Sequence, residues 1–147
     1  MMKTYLICIS LFVMTCLSNC KTQQGLTVTA GTETLPEKKA TLPGKTAIAA
    51  VGEDENAEIS DIAGRAPYFL LFDGEGNFLK SIKNPALNMR GGASSEVVRL
   101  LIKESCKTMI AGQFGNKMQS QLDANDITYY QQKGNAKNAI ETFLKNR

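Results

Sequence analysis

The sequence of 147 residues contains no histidine and no tryptophan. Without histidine, the usual base of a hydrolytic triad is missing, although serine and aspartate are present. Imidazole is also a common ligand for iron, copper and zinc, so any metal site must rely on other groups. Aromatic residues make up 7% of the chain. That scarcity disfavours a surface that stacks nucleic-acid bases.

A concentration of charge is also absent. The formal net charge is only +3. The lysines and arginines are scattered along the sequence, so neither a nucleic-acid stripe nor a polybasic membrane patch is visible. The acidic stretch "GEDENAEISD" alternates like a calcium loop, but Ile59 occupies the position of the sharp-turn glycine. We interpret it as a solvated loop and expect no nucleic-acid partner.

No apolar run reaches the about 20 residues that a membrane-spanning helix needs. Residues 1–19 instead have the charged start and short apolar stretch of a signal peptide, "MMK" followed by "TYLICISLFVMTCLS". The next letters, "LSNC", resemble a bacterial lipobox ending at Cys20, although Asn19 departs from the usual glycine or alanine. We predict that Cys20 is lipidated, which holds the chain at the bacterial cell envelope. The alternative is a conventional signal peptide with an incidental Cys20.

Cysteine is scarce in the predicted mature domain. Two of the four cysteines lie in the signal peptide and Cys20 receives the lipid, so Cys106 remains alone and no disulfide can form within the domain. Lysines at 103 and 107 could lower its pKa and favour a role as metal ligand. The alternative is a small buried apolar residue. Iron–sulfur clusters normally take four cysteine ligands, so only a homodimer could supply even two.

Residues 20–44 are rich in threonine, glycine, proline and lysine, which predicts a flexible tether. Residues 45–147 form the predicted domain. Strands are expected in "KTAIAAVG", "PYFLLFD", "FLKSIKN", "KTMIAG" and "ITYY", the second of them buried on both faces and paired with the third in a hairpin. Helices are expected in "SEVVRLLIKES", "NKMQSQLDAN" and "NAKNAIETFLKN". The first helix should bury Val97, Val98, Leu101 and Ile102.

The predicted order is therefore βββαβαβα. Alternating strands and helices in the second half favour parallel strands with right-handed crossovers, while the hairpin adds an antiparallel strand. The fold class is α/β, with a mixed five-stranded sheet flanked by helices.

Two glycine-rich turns, each just before a helix, are the candidate binding site. They are "MRGGASSE" and "AGQFGNK", and the turn "GRAP" adds a further arginine. Glycines allow close approach of a ligand, and helix starts offer unpaired N–H groups to an anion. In open sheets, ligands bind outside the carboxyl ends of parallel strands. The predicted cofactor-binding residues are Arg65, Arg90, Gly91, Gly92, Gly112 and Gly115. The alternative is that these glycines are only turn and cap residues, and no catalytic residue is predicted.

Four segments in order resemble the dinitrogenase iron–molybdenum cofactor biosynthesis family (NifX-like). They are "ISDIAGRAPYFLLFD", the Asn84-Pro85 pair, "RGGASSEVVRLLIKE" and "KTMIAGQFGNKM", within a resemblance that spans residues 45–144. The resemblance implies a ribonuclease-H-like fold and a carrier of iron–molybdenum cofactor or its cluster precursors. Many relatives read Ser-Glu-His-Phe-Gly-Arg-Ala at the first connector, and that histidine is implicated in cluster binding. The matching position here is Ile62.

Three functions follow. The first is a non-enzymatic module that binds an iron–sulfur or iron–molybdenum-type cluster, or another anionic ligand, at the envelope. The second is an envelope scaffold or protein-interaction domain that has lost cluster binding. The third, a nuclease, rests on fold analogy alone, which transfers poorly to function.

Overall fold

The computed structural model describes residues 42 and 44–146. The predicted signal peptide and Cys20 lie outside these residues, as does nearly all of the predicted tether. Among the residues described, no helix is both long enough and apolar enough to cross a membrane.

Within residues 44–146, five strands and three helices follow one another in the predicted order, which confirms the α/β class. The strands are β1 (Lys45–Ala50), β2 (Tyr68–Phe72), β3 (Phe78–Lys83), β4 (Cys106–Ala111) and β5 (Thr128–Gln131). The helices are α1 (Ala93–Lys103), α2 (Asn116–Asp123) and α3 (Ala136–Lys145). A 3-10 turn at Ala63–Arg65 lies between β1 and β2 and overlaps the predicted turn "GRAP".

The sheet is mixed, with strand order β3-β2-β1-β4-β5. β1, β4 and β5 are parallel to one another, while β2 is antiparallel to both β1 and β3. β3 therefore runs in the same direction as β1. β1, β3, β4 and β5 therefore end on the same side of the sheet, which we call the carboxyl edge. The four connections that follow these strands all begin there.

Helices cover both faces of the sheet. α1 and α2 pack on one face, where their buried side chains join those of Phe69 and Leu71. α3 packs on the other face, against Leu70 and Phe72. The continuous apolar run of β2 is thus buried on both sides, as its composition predicted.

The first helix departs from the prediction at one position. Val97, Val98 and Leu101 are buried, whereas Ile102 is 50% exposed. At about 100° per residue, Ile102 lies on the flank of α1 rather than on the stripe that faces the sheet. The prediction that Ile102 packs in the core is wrong, because helical spacing alone does not show how wide the buried stripe is.

Candidate functional site

The connector between β1 and β2 crosses over the end of β4. The Gly112 amide donates a hydrogen bond to the Ser60 carbonyl (2.9 Å), and the Ala63 amide donates to the Gln113 carbonyl (3.0 Å). A Cβ on residue 112 would lie only 2.8 Å from both the Cα and the carbonyl oxygen of Asp61. Gly112 is therefore required for close backbone packing, and it does not face open space.

The connector then makes the 3-10 turn that presents Arg65. The Arg65 amide donates to the Ile62 carbonyl at 3.1 Å. Its guanidinium Nη1 donates to the carbonyls of Leu87 (3.1 Å) and Met89 (3.0 Å). Arg65 thus holds the loop that follows β3 and brings it beside the turn.

A second anchor of the same loop is Asn84, which is only 7% exposed. Its Nδ2 donates to the Ala66 carbonyl at 2.7 Å, and its Oδ1 accepts from the Ala86 amide at 2.8 Å. Sequence reasoning used Asn84 only as part of a family pattern and missed this role. An asparagine at the end of a strand and before a proline is a turn signal that could have indicated it.

Between these elements lies an open pocket of about 260 Å³. One wall is the turn with Ile62 and Arg65, and the opposite wall is the start of α1 with Gly91 and Gly92. The start of α2 contributes Gly115, together with the side chain of Met118. A Cβ added at Gly91 or at Gly115 would meet no atom within 4 Å, so both glycines border open space.

The pocket lies against two helix starts that no side chain caps. The N-cap residues are Gly92 for α1 and Gly115 for α2, and neither helix has a side-chain cap hydrogen bond. By contrast, the Asn135 side chain caps α3 by accepting from the amides of Lys137 and Asn138. First-turn N–H groups have no partner within the helix and carry partial positive charge. Together with Arg65, the uncapped starts of α1 and α2 make the pocket suited to an anion.

The six predicted cofactor-binding residues are only partly brought together. Arg65, Gly91, Gly92 and Gly115 line the pocket. Arg90 is exposed and is adjacent in sequence to the pocket wall, of which it is not a part. Gly112 is buried behind the connector, where it contacts Asp61.

Cys106 lies at the opposite end of β4 from the pocket. It is 3% exposed and packs in the core beneath α1. Burial raises the pKa of its thiol to about 11, and the neighbouring Glu104 carboxylate acts in the same direction. The prediction that lysines 103 and 107 lower this pKa is wrong, because the lysines that do lower it are Lys45 and Lys80, and desolvation outweighs their effect. Cys106 as a metal ligand therefore gains no support from this geometry.

No group of three or more histidine, cysteine or acidic side chains that could hold a metal ion occurs among the described residues. Two carboxylates of the acidic stretch pair with lysines instead. Glu55 bonds Lys137 at 2.7 Å and Asp61 pairs with Lys133 at 3.3 Å. The hydrogen bond from Lys137 to Glu55 raises the pKa of that lysine. Such partly exposed pairs agree with a solvated loop.

Comparison with known proteins identifies the family and the fold of the domain. A model of the protein family described as "Dinitrogenase iron-molybdenum cofactor" matches residues 44–146. A protein from Thermotoga described as a candidate NifB protein is 28% identical, with a TM-score of 0.61 over 71% of this chain and 90% of its own. The apo orange protein from Desulfovibrio gigas is 22% identical, with a TM-score of 0.66 over 73% and 92% respectively, and shares the fold. No curated protein matches the chain significantly.

Proposed function

This chain belongs to the dinitrogenase iron–molybdenum cofactor family, and on that premise we propose that its domain is a non-enzymatic carrier of an anionic ligand. The cargo is an iron–sulfur or iron–molybdenum-type cluster, or another anion of similar charge. The observation that carries the proposal is the convergence of two uncapped helix starts and Arg65 on one pocket.

The chemistry of the pocket wall favours binding by charge and hydrogen bonds rather than by metal coordination. Backbone N–H groups at Gly92 and Gly115 and the guanidinium of Arg65 are donors that suit an anionic sulfide or oxide surface. The wall contains neither cysteine nor histidine. Ile62 stands where the resemblance places a ligating histidine, so the cargo would be held without that bond.

Reconstitution tests the proposal. We would express residues 21–147 without the lipid and incubate the protein anaerobically with iron and sulfide. Bound iron, bound sulfide and charge-transfer absorption are expected. If none of the three is found, the cluster-carrier proposal fails.

A matched pair of variants locates the site. Arg65→Gln removes a cation from the pocket wall, so bound iron should fall severalfold. Arg99→Gln removes an exposed cation from α1 that pairs with Glu96 at 2.6 Å, and binding should be retained. Equal loss in both variants would mean that the pocket is not the binding site.

Display at the envelope is the second part of the proposal, and it rests on the signal sequence and Cys20. Cys20→Ala should abolish acylation and release the chain from membranes. If the variant still partitions with membranes as a lipid-labelled species, the lipobox assignment is wrong.

A second candidate function is an envelope scaffold with no cargo. Ile62 favours it, since this large apolar side chain at the pocket is 53% exposed. Leu87 and Met89 on the neighbouring loop are also exposed apolar residues. Pull-down from detergent-solubilised envelopes should then recover a constant partner, and Ile62→Ser should weaken its capture. Failure to recover any constant partner argues against the scaffold.

A further inference from the structure

The outer edge of β3 is an unpaired strand edge. β3 ends the sheet, and it pairs with β2 on one side and with no other described strand. The N–H and C=O groups of such an edge can pair with an added strand. β3 has six residues, enough for a short extended segment to align along it.

A groove of about 470 Å³ lies at the end of this edge, between the last two residues of β3 and the flank of α1. Its apolar residues include Ile82 and Leu100, which are partly buried against the core. Lys83 and Lys103 also line it, from the strand and the helix respectively. The groove and the anion pocket share no lining residue.

The charge of the groove is positive because its remaining charged groups neutralise each other. Glu96 accepts two hydrogen bonds from Arg99, at 2.7 and 2.6 Å. Neither Lys83 nor Lys103 forms an ion pair with another residue of the described part. The groove therefore combines apolar surface, two available cations and an open backbone edge.

These features discriminate between possible occupants. A second copy of the chain paired through β3 would bring two lysine-bearing strands side by side, with Lys80 held to Glu104 at 2.8 Å and Lys83 outside any ion pair with the described residues. Like charges on neighbouring strands are destabilising, and edge lysines are a common protection against self-pairing. An extended segment with alternating apolar and acidic residues would instead place apolar side chains against Ile82 and Leu100. Its carboxylates would then lie on the opposite face of the sheet, beside Lys83, because consecutive strand residues alternate between faces.

We infer that the β3 edge and this groove form a docking site for an extended, acidic segment of a partner protein, which adds as a sixth strand. Backbone hydrogen bonds to β3 supply part of the affinity, and the alternate side chains supply the specificity. The inference goes beyond the carrier function and does not depend on it.

Fluorescence anisotropy with the full-length chain tests the charge requirement. The probe is a labelled six-residue peptide of alternating valine and glutamate, compared with one of alternating valine and lysine. The acidic peptide should bind and the basic peptide should not. Lys83→Glu combined with Lys103→Glu should weaken binding by roughly ten-fold or more, whereas Lys145→Glu on α3 should leave it unchanged. If Lys145→Glu weakens peptide binding as much as the Lys83→Glu, Lys103→Glu double variant does, the inference is overturned.

Backbone pairing has its own readout. Two acidic peptides would be compared, one N-methylated at the odd positions and the other at the even positions. Consecutive N–H groups of a strand point to opposite edges, so only one of the two peptides has methyl groups on the edge that faces β3. That peptide should lose binding. Bound peptide should also slow amide hydrogen exchange in β3. If both methylated peptides bind equally, the segment does not add as a strand. If the chain self-associates without peptide and this blocks the probe, the occupant is a second copy and the inference fails.

Discussion

The carboxyl edge of the sheet has a packed half and an open half, although both contain glycine-rich turns. In the packed half, Gly112 contacts the backbone of Asp61, and Asn84 anchors the loop after β3. In the open half, Gly91 and Gly115 have no neighbour near the position of a Cβ. The same residue type thus fixes the scaffold in one half and leaves room for a ligand in the other.

Gly112→Ala should have the largest effect on folding. Its Cβ would overlap the backbone of Asp61, which cannot move without displacing the connector. Overpacking of this kind lowers the free energy of unfolding by about 2–3 kcal/mol. Denaturant unfolding monitored by circular dichroism measures the change. An unfolding midpoint equal to that of the wild type would contradict the close packing of Gly112 against the Asp61 backbone.

Asn84→Ala should have the second largest effect on folding stability. It leaves the Ala66 carbonyl and the Ala86 amide, both in buried hydrogen bonds, without partners. The free energy of unfolding should fall by about 2 kcal/mol. The control is Asn138→Ala, on α3, where the asparagine side chain makes no hydrogen bond with a described residue. Its free energy of unfolding should differ from that of the wild type by only a few tenths of a kcal/mol.

Gly92→Ala should have an intermediate effect, because Gly92 belongs to the open half but has a left-handed backbone with φ of 76°. Alanine in that conformation is less stable by about 1 kcal/mol. Calorimetric unfolding measures the difference. A stability equal to that of the wild type would mean that the start of α1 relaxes when residue 92 is changed.

Gly91→Ala and Gly115→Ala should change the free energy of unfolding by no more than about 0.5 kcal/mol, since the added methyl groups enter open space. They should nevertheless weaken ligand binding, because those methyl groups occupy the pocket. Unfolding and iron-binding measurements on the same samples separate the two effects. A stability loss as large as that of Gly112→Ala would remove the distinction between the two halves.

Cys106 extends the comparison to the other end of β4, and the ionisation of its thiol should not affect stability at neutral pH. The folded chain keeps this thiol protonated up to a pKa of about 11, compared with 9.0 for the ordinary thiol. The unfolded state therefore releases the proton first, and the free energy of unfolding falls as pH rises from 9 through 11. The difference in pH dependence between the wild type and Cys106→Ala isolates this contribution from other titrating groups. Parallel curves between pH 9 and pH 11 would contradict it.

The local patterns of the chain predicted most of the fold. The apolar run of β2 indicated burial on both faces, and the glycines after β4 and before α1 marked the turns. Helix spacing identified Val97, Val98 and Leu101, but it could not place Ile102, because the width of the buried stripe depends on what the helix packs against. The turn at "GRAP" was predicted, but its 3-10 conformation at Ala63–Arg65 was not, since three residues carry no periodic signal.

The candidate site was less accessible to sequence reasoning. Arg65 and the glycine turns were identifiable as cation and turn signals, but the pattern could not distinguish Gly112 from Gly115. Asn84 was missed because its partners, at Gly64, Ala66 and Ala86, include residues about 20 positions away. The lysines around Cys106 suggested a lowered pKa only because burial was unknown.

The amino-acid sequence by itself determined the order of strands and helices, the turns between them and the complete lack of histidine. These properties depend on neighbouring residues, through hydrophobic spacing and backbone preference. Only the tertiary structure decided which glycine is packed, which helix starts stay uncapped and how far the Cys106 pKa rises. Those properties depend on contacts and desolvation between segments that are distant in the chain, and they arise when the sheet brings the segments together.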